Sequence, residues 1–448
     1  MADSLFKRLV STVVPPRNDL ARANRHATRL IAIWRELLSE RGEVSGAAIA
    51  REALAAYRKL HTAHLPAFYD QLAAEFSPEK HALRLAAERY IEQPSTTHLM
   101  QLQKAVASPR QELFRRLNQA PGGTATLVDM RKSLLSALPD HPEWRVIDVD
   151  LVHLFNSWFN RGFLTLERID WHTPAIVLEK LIEYEAVHEL SGWTDLRRRL
   201  QADRRCFAFF HPALPDEPLI FIEVALVKGI SSAVRPLLNV DAPVDDPEKA
   251  DTAVFYSITN CQKGLRSVSF GNLLIKQVAQ KIGEEFPRIK TFSTLSPIPG
   301  FTAWLATIES KLSAPTLSAV HALNIPNWYQ QTELATSMQK VLTPLCAHFL
   351  LSAMRDGEPT DPVARFHLGN GARAERLNWL ADTSARGLKN CAGMMVNYVY
   401  HLDQIEENHE VYIREHRVVA THELRRLARL SSLVCAPESV KSIAVKNK

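Results

Sequence analysis

The sequence predicts an α+β fold: an N-terminal all-α helical bundle over residues 1–188, then a second part over 189–448 built on a mixed sheet with helices. Three observations predict it. Apolar residues recur at helical spacing through roughly the first 180 residues. Aromatic and β-branched runs begin after about Glu189. One clear amphipathic helix then sits between two of those runs.

In the first part, Leu30, Ile31, Ile33, Trp34, Leu37 and Leu38 share one helical face. Ile49, Ala53, Ala56, Tyr57 and Leu60 do the same behind Ser45, an expected N-cap. A hydroxyl residue followed by proline at Ser77-Pro78, Ser108-Pro109 and Thr173-Pro174 reads as N-cap plus N1, because a proline there gives up an amide that no helical bond would use. Ser108 also has Gln111 three residues on, as in a capping box. "PGG" at 121–123 marks a turn. The charged pairs of this half, such as Glu88-Arg89 and Arg115-Arg116, read as solvated faces. A half of this kind is expected to serve packing and oligomerisation.

In the second part, "RRCFAFFH" (204–211) and "PLIFIEVALV" (218–227) flank a proline-containing turn and read as a hairpin. "TAVFYSI" (252–258) is a third strand, behind the exposed acidic connector 241–251. "FGNLLIKQVAQKIGEEF" (270–286) carries Phe270, Leu273, Leu274, Val278 and Ile282 along one face and reads as a helix. "IKTFSTL" (289–295) returns to strand and leads into the rigid turn "SPIPGF". Helix follows again, broken at 355–364, with a further helix-and-strand pattern around "AGMMVNYVYHL" (392–402).

Hydrophobic residues make up 46% and charged residues 23% of the 448, a core-forming balance. A net charge of +5 with scattered Lys and Arg suits an anionic small-molecule ligand better than nucleic acid. Cys206, Cys261, Cys346, Cys391 and Cys435 are odd in number, far apart and lack C-x-x-C, so neither a disulfide framework nor a zinc site is expected. The longest apolar run, 219–227, is too short to span a bilayer and contains Glu223. The ends show neither a secretory h-region nor a peroxisomal tripeptide, so the expectation is a cytoplasmic protein with no membrane partner.

Between the third strand and the amphipathic helix lie Gln262, Lys263, Gly264, Leu265, Arg266, Ser267, Val268 and Ser269. A strand end leading into a helix N-terminus offers amides and a dipole to an anion. Lys263 and Arg266 add charge, and Gly264 is free to adopt positive φ or to let a phosphate approach. The glycine spacing fits neither Walker A nor the dinucleotide fingerprint, and an ordinary βα turn with a basic rim is equally consistent. The loop resembles the coenzyme A pyrophosphate loop of GNAT-type acyltransferases, although Gln262 and Gly264 are only two apart.

Taken together, "FIEVALVKGISS", "AVFYSITNCQKGLRSVSFGNLLIKQV", "FPRIKTFSTLSPIPGFTAWL", "DPVARFHLGNGARAERLNWLADTSARG" and "MMVNYVYHL" resemble malonyl-CoA decarboxylases, in order and in spacing. The resemblance implies a helical N-terminal domain for homo-oligomerisation (dimer or tetramer) and a GNAT-like catalytic domain. It implies conversion of malonyl-CoA to acetyl-CoA and CO2 with no metal, biotin or other cofactor, coenzyme A being part of the substrate. By motif, it implies Ser293 and His367 as the catalytic pair, Tyr400 lining the site, and Gln262 through Ser269 as the coenzyme A loop.

The chemistry can use these groups. Loss of CO2 from a malonyl thioester leaves an enolate, which needs donors at the thioester oxygen, a carboxylate twisted out of the carbonyl plane and a proton for the carbon. A histidine titrating near neutrality can donate that proton, with Ser293 as its partner. Apart from the resemblance, each residue has an ordinary reading: Ser293 in a turn, His367 in a core, Tyr400 as a buried aromatic. Ser296, before Pro297, reads as a turn hydroxyl. An acyl-CoA acyltransferase and a non-catalytic coenzyme A-binding scaffold remain alternatives. A hydrolase is disfavoured because no G-x-S-x-G elbow surrounds Ser293.

Overall fold

The computed structural model describes residues 17–268, 270, 274–431 and 433. Ser269 and Cys435 therefore lie outside the described residues. The chain forms two compact units. One is helical, running to Thr165 and including Phe210–Glu217 and Gln262–Phe270; the other comprises Leu166–Phe209, Pro218–Cys261 and Gly271–Lys448.

The helical unit contains α1 (Arg17–Leu37), α2 (Glu40–Arg58), α3 (Leu65–Glu75), α4 (Lys80–Glu92), α5 (Thr96–Val106), α6 (Pro109–Asn118), α7 (Gly123–Ala137) and α8 (Arg145–Trp158). The apolar stripes meet around Trp34, which packs edge-on against Phe68 at 5.0 Å and against Phe114 at 6.5 Å. The expected start at Ser45 is instead a kink inside α2, where Ser45 leaves helical geometry (φ −112°, ψ 18°). The turn at "PGG" forms with Gly122 at φ 72°.

The hydroxyl–proline starts behave differently from the expectation. Ser77 donates to the Ala73 carbonyl, and Glu79 caps α4 instead. Ser108 does precede α6, but its hydroxyl donates to Asp150 at 2.8 Å, and Gln111 donates to the other Asp150 oxygen at 2.7 Å. A buried carboxylate needs those donors more than a helix end does. Asp150 also takes Arg110, with both side chains buried and an N–O distance of 2.7 Å.

The second unit holds an eight-stranded mixed sheet, ordered β1-β2-β3-β4-β5-β10-β6, with β9 also on β10. Its strands are β1 (Thr165–Ile169), β2 (Arg204–Phe210), β3 (Ile220–Val227), β4 (Thr252–Asn260), β5 (Thr291–Thr294), β6 (Ser296–Pro297), β9 (Arg373–Asn378) and β10 (Met395–Tyr400); β7 (Met354–Arg355) and β8 (Glu358–Pro359) form a separate ribbon. The helices are α9 (Ala175–Tyr184), α10 (Trp193–Arg199), α11 (Arg235–Leu238), α12 (Leu274–Glu285), α13 (Phe301–Ile308), α14 (Ala314–His321), α15 (Thr332–Ser352), α16 (Pro362–Gly369), α17 (Ala385–Cys391), α18 (Ile405–Glu415) and α19 (His422–Arg429).

The β2–β3 hairpin is antiparallel, as expected, and β3 pairs antiparallel with β4. β4 and β5 are parallel, joined through α12. β2, β3, β4 and β10 are buried almost along their whole length, so both faces of the sheet are covered. That explains the unbroken apolar run of β3. Its one acid, Glu223, is fully buried against Arg199, and burial pushes its pKa up to about 8.

Asp150→Ala is expected to cost the helical unit about 3–5 kcal/mol, because Arg110 would stay buried without its counter-charge. Chemical denaturation followed by tryptophan fluorescence would read it. A loss below about 1 kcal/mol would show that Arg110 finds other acceptors.

Candidate active site

The turn "TFSTLSPIPGF" folds around β10. β10 pairs antiparallel with β5 through Val399↔Ser293 and Tyr400↔Phe292, and with β6 through Val396↔Ser296. Cross-strand partners share a face and successive residues alternate. Ser296 therefore lies on the face of Val396, Tyr398 and Tyr400. Ser293 lies on the opposite face with Val399.

His367 arrives from α16, whose N-terminus is set by Asp361 and Pro362. The Asp361 carboxylate accepts the Ala364 amide at 2.8 Å. One helical turn further on, the His367 ring stacks on Tyr398 with centroids 4.7 Å apart. Its Nε2 is 2.9 Å from Ser296 Oγ and its Nδ1 is 2.8 Å from the Tyr400 hydroxyl. Ser296 Oγ donates to Thr294 Oγ1 at 2.9 Å, which also accepts the Tyr398 amide at 3.1 Å. With its own hydrogen on Thr294, Ser296 accepts from His367 Nε2–H, and Nδ1 then accepts from Tyr400. The network assigns the tautomer.

The structure thus brings together two of the three expected catalytic residues, His367 and Tyr400. It does not bring Ser293 to them. Ser293 is fully buried and donates to the Thr294 carbonyl at 3.1 Å. Ser296, read from sequence as a turn hydroxyl, occupies the place expected of Ser293. Spacing puts Ser293 and Ser296, three apart, on opposite faces of a continuing strand, but the register against β10 sets which face meets His367.

The charge state also departs from expectation. His367 is 3% exposed, and burial drives its pKa down to about 3, so the free protein holds a neutral imidazole at pH 7. Burial raises the Tyr400 and Tyr398 hydroxyls well above their usual range. The Tyr398 hydroxyl is buried with no hydrogen-bond partner among the described residues.

The expected coenzyme A loop belongs to the helical unit. Gly264 does not sit at positive φ; that conformation falls on Ser267 (φ 65°). A Cβ at Gly264 would stand 2.1 Å from the Val128 carbonyl oxygen, so glycine is required there by the approach to α7. Arg131 of α7 donates to the carbonyls of Gly264 and Arg266, both at 2.7 Å. The amides of Leu265, Arg266 and Val268 donate within the loop and are not available to a phosphate. Gln262 donates to Glu217 at 3.2 Å. Leu265 and Val268 are buried, while Lys263, Arg266 and Ser267 are exposed. Neither Lys263 nor Arg266 forms an ion pair among the described residues.

Comparison with known proteins bears on the family and the fold. Residues 162–439 match the malonyl-CoA decarboxylase C-terminal domain, and residues 76–159 match the N-terminal domain. The chain belongs to the malonyl-CoA decarboxylase family. It is 37% identical over 341 residues to "Malonyl-CoA decarboxylase, mitochondrial" of Anser anser anser, covering 70% of this chain and 68% of that protein. The Mus musculus protein of the same name is 37% identical over 344 residues, 70% of each chain. The crystal structure of malonyl-CoA decarboxylase from Rhodopseudomonas palustris aligns with a TM-score of 0.85 at 48% identity, over 89% of this chain and 99% of that one. The Agrobacterium vitis structure aligns at 0.82 and 46%, with the same coverage. Family membership and the sheet order agree with the fold class expected from sequence. Among the described residues, no helix is long and apolar enough to cross a membrane.

Because the folded pKa of His367 lies below its ordinary 6.5, its neutral form favours the folded state. That stability is complete above about pH 6.5 and is lost as pH falls towards about 3. The ring nitrogen shifts of His367 in the free protein are expected to stay those of a neutral imidazole from about pH 8 to pH 5. Protonation midway in that range would contradict the burial argument.

Proposed function

We propose that this chain decarboxylates malonyl-CoA to acetyl-CoA and CO2, with Ser296, His367 and Tyr400 as its acid–base machinery. Membership of the malonyl-CoA decarboxylase family supports the substrate and the reaction. The observation that carries the residue assignment is the continuous hydrogen-bonded line Tyr400–His367–Ser296–Thr294 on one face of the sheet.

The reaction consumes one proton. The C–C bond pair moves into the enolate, CO2 leaves, and the α-carbon takes a proton. In the proposed sequence the Ser296 hydroxyl turns from Thr294 and gives its hydrogen to the carbon, and the protonated His367 replaces that hydrogen through Nε2. The malonyl carboxylate, once bound beside this pair, favours the protonated imidazole and reverses the effect of burial. Tyr400 holds Nδ1 and fixes the ring. Lys263 and Arg266, exposed and without acidic partners among the described residues, are assigned to phosphate groups. The thioester carbonyl is itself the electron sink, so the chemistry requires neither metal nor prosthetic group.

We also propose homo-oligomerisation through the helical unit. α4 and α5 have no buried residue, yet carry Ile91, Met100 and Val106 well exposed. An apolar helical hairpin of this kind suits a second copy of the same chain. The four described cysteines are all free, which is consistent with a reducing, cytoplasmic setting.

Chelator-treated protein is expected to release CO2 and acetyl-CoA from malonyl-CoA. Ser296→Ala and His367→Asn should each lower kcat by roughly 10²–10⁴-fold, and Ser293→Ala by far less. Equal losses in Ser293→Ala and Ser296→Ala would return the assignment to Ser293. An Ile91→Glu/Met100→Glu variant should shift the light-scattering mass towards the monomer; an unchanged mass would exclude the α4–α5 face.

A further inference from the structure

Only two amides exist in the turn after Ser296, because residues 297 and 299 are prolines. Both are held by buried acceptors. The Ile298 amide donates to Cys391 Sγ at 3.3 Å, and the Gly300 amide donates to Asp361 Oδ2 at 3.4 Å. The other oxygen of the same carboxylate, Oδ1, accepts the Ala364 amide at 2.8 Å and caps α16. One side chain therefore bonds the turn that carries Ser296 and the helix that carries His367.

A cap alone does not call for this residue. Serine, threonine or asparagine caps a helix as well, without burying a charge. Asp361 is 1% exposed and makes no ion pair among the described residues. Its position makes sense when both oxygens are in use.

We infer that Asp361 is a positioning residue, whose two-ended carboxylate sets the Ser296–His367 separation. The inference rests on the reading of Ser296 and His367 as the acid–base pair. Asp361 touches neither substrate nor the reacting atoms; it acts by fixing the 2.9 Å contact between them. Geometry at a proton-transfer pair is unforgiving, and displacements of about 1 Å cost up to about a hundredfold in rate.

The test uses the purified full chain. Asp361→Ser and Asp361→Asn keep a capping oxygen for Ala364 but remove the acceptor for Gly300. Both are expected to lower kcat by about ten- to a hundredfold, with KM within about twofold and the melting temperature within a few degrees of the parent. A kcat within about twofold of the parent in both would overturn the inference. So would a loss that tracks only the folded fraction. Should both variants unfold, Gly300→Ala decides. Its Cβ would meet Phe349 at 3.2 Å, a tight contact that must be relieved by a shift of the turn or the ring, while Asp361 Oδ2 at 3.7 Å stays at ordinary contact distance. Loss of kcat there supports the inference, and parental kcat overturns it. Ser296→Ala and His367→Asn run in parallel. If those retain activity, the catalytic reading itself fails; if they lose it while Asp361 variants do not, only the positioning role fails.

Discussion

β10 is held along one edge by two separate segments, β5 and β6, and the geometry of the site depends on that double pairing. Between them the chain takes the single residue Leu295 out of the ladder and returns at Ser296. The strand period then assigns every side chain to a face. Thr294, Ser296, Tyr398 and Tyr400 converge on one side, and α16 delivers His367 onto the stack. Ser293 is left among Val399 and Val254 on the other.

Burying four linked polar groups is tolerable only when each is bonded, since an unpaired hydroxyl or imidazole in a dry interior costs more than a made bond returns. The line from Tyr400 to Thr294 meets that condition without a charge. The neutral imidazole follows from it: no carboxylate touches His367, so desolvation is the only influence on its pKa. The Tyr398 hydroxyl is the exception in this neighbourhood, buried without a partner while its ring stacks on His367.

Much of the fold was legible in sequence because burial writes strong patterns. The β2–β3 hairpin, β4, the crossover helix and β10 all stand where the aromatic and β-branched runs predicted them. β6 and β9 were not legible. β6 is two residues long with a proline, and "RAERLN" in β9 alternates charge with apolar residues too weakly to announce a strand. The hydroxyl–proline pairs were legible as helix starts but not as partners of Asp150, which is 42 residues from Ser108. His367 and Tyr400 were reached through motif resemblance. Ser293 came from the same motif resemblance, with Ser296 read as a turn hydroxyl, and only the register against β10 decides which one faces the histidine.

The loop 262–269 shows how a residue can be explained twice. From sequence, Gly264 read as an opening for a phosphate. In the structure, contact with the Val128 carbonyl already requires glycine, whatever the loop binds. Arg131 likewise occupies two of the loop's carbonyls, so a basic residue near this loop serves its shape. Neither residue can then count as support for phosphate binding. What packing does not explain is the pair Lys263 and Arg266, held outward by a loop whose backbone is fixed from behind. Among the described residues no acid pairs with them, and the rigid turn leaves only side-chain freedom to lose when an anion arrives. The case for a phosphate site rests on those two side chains.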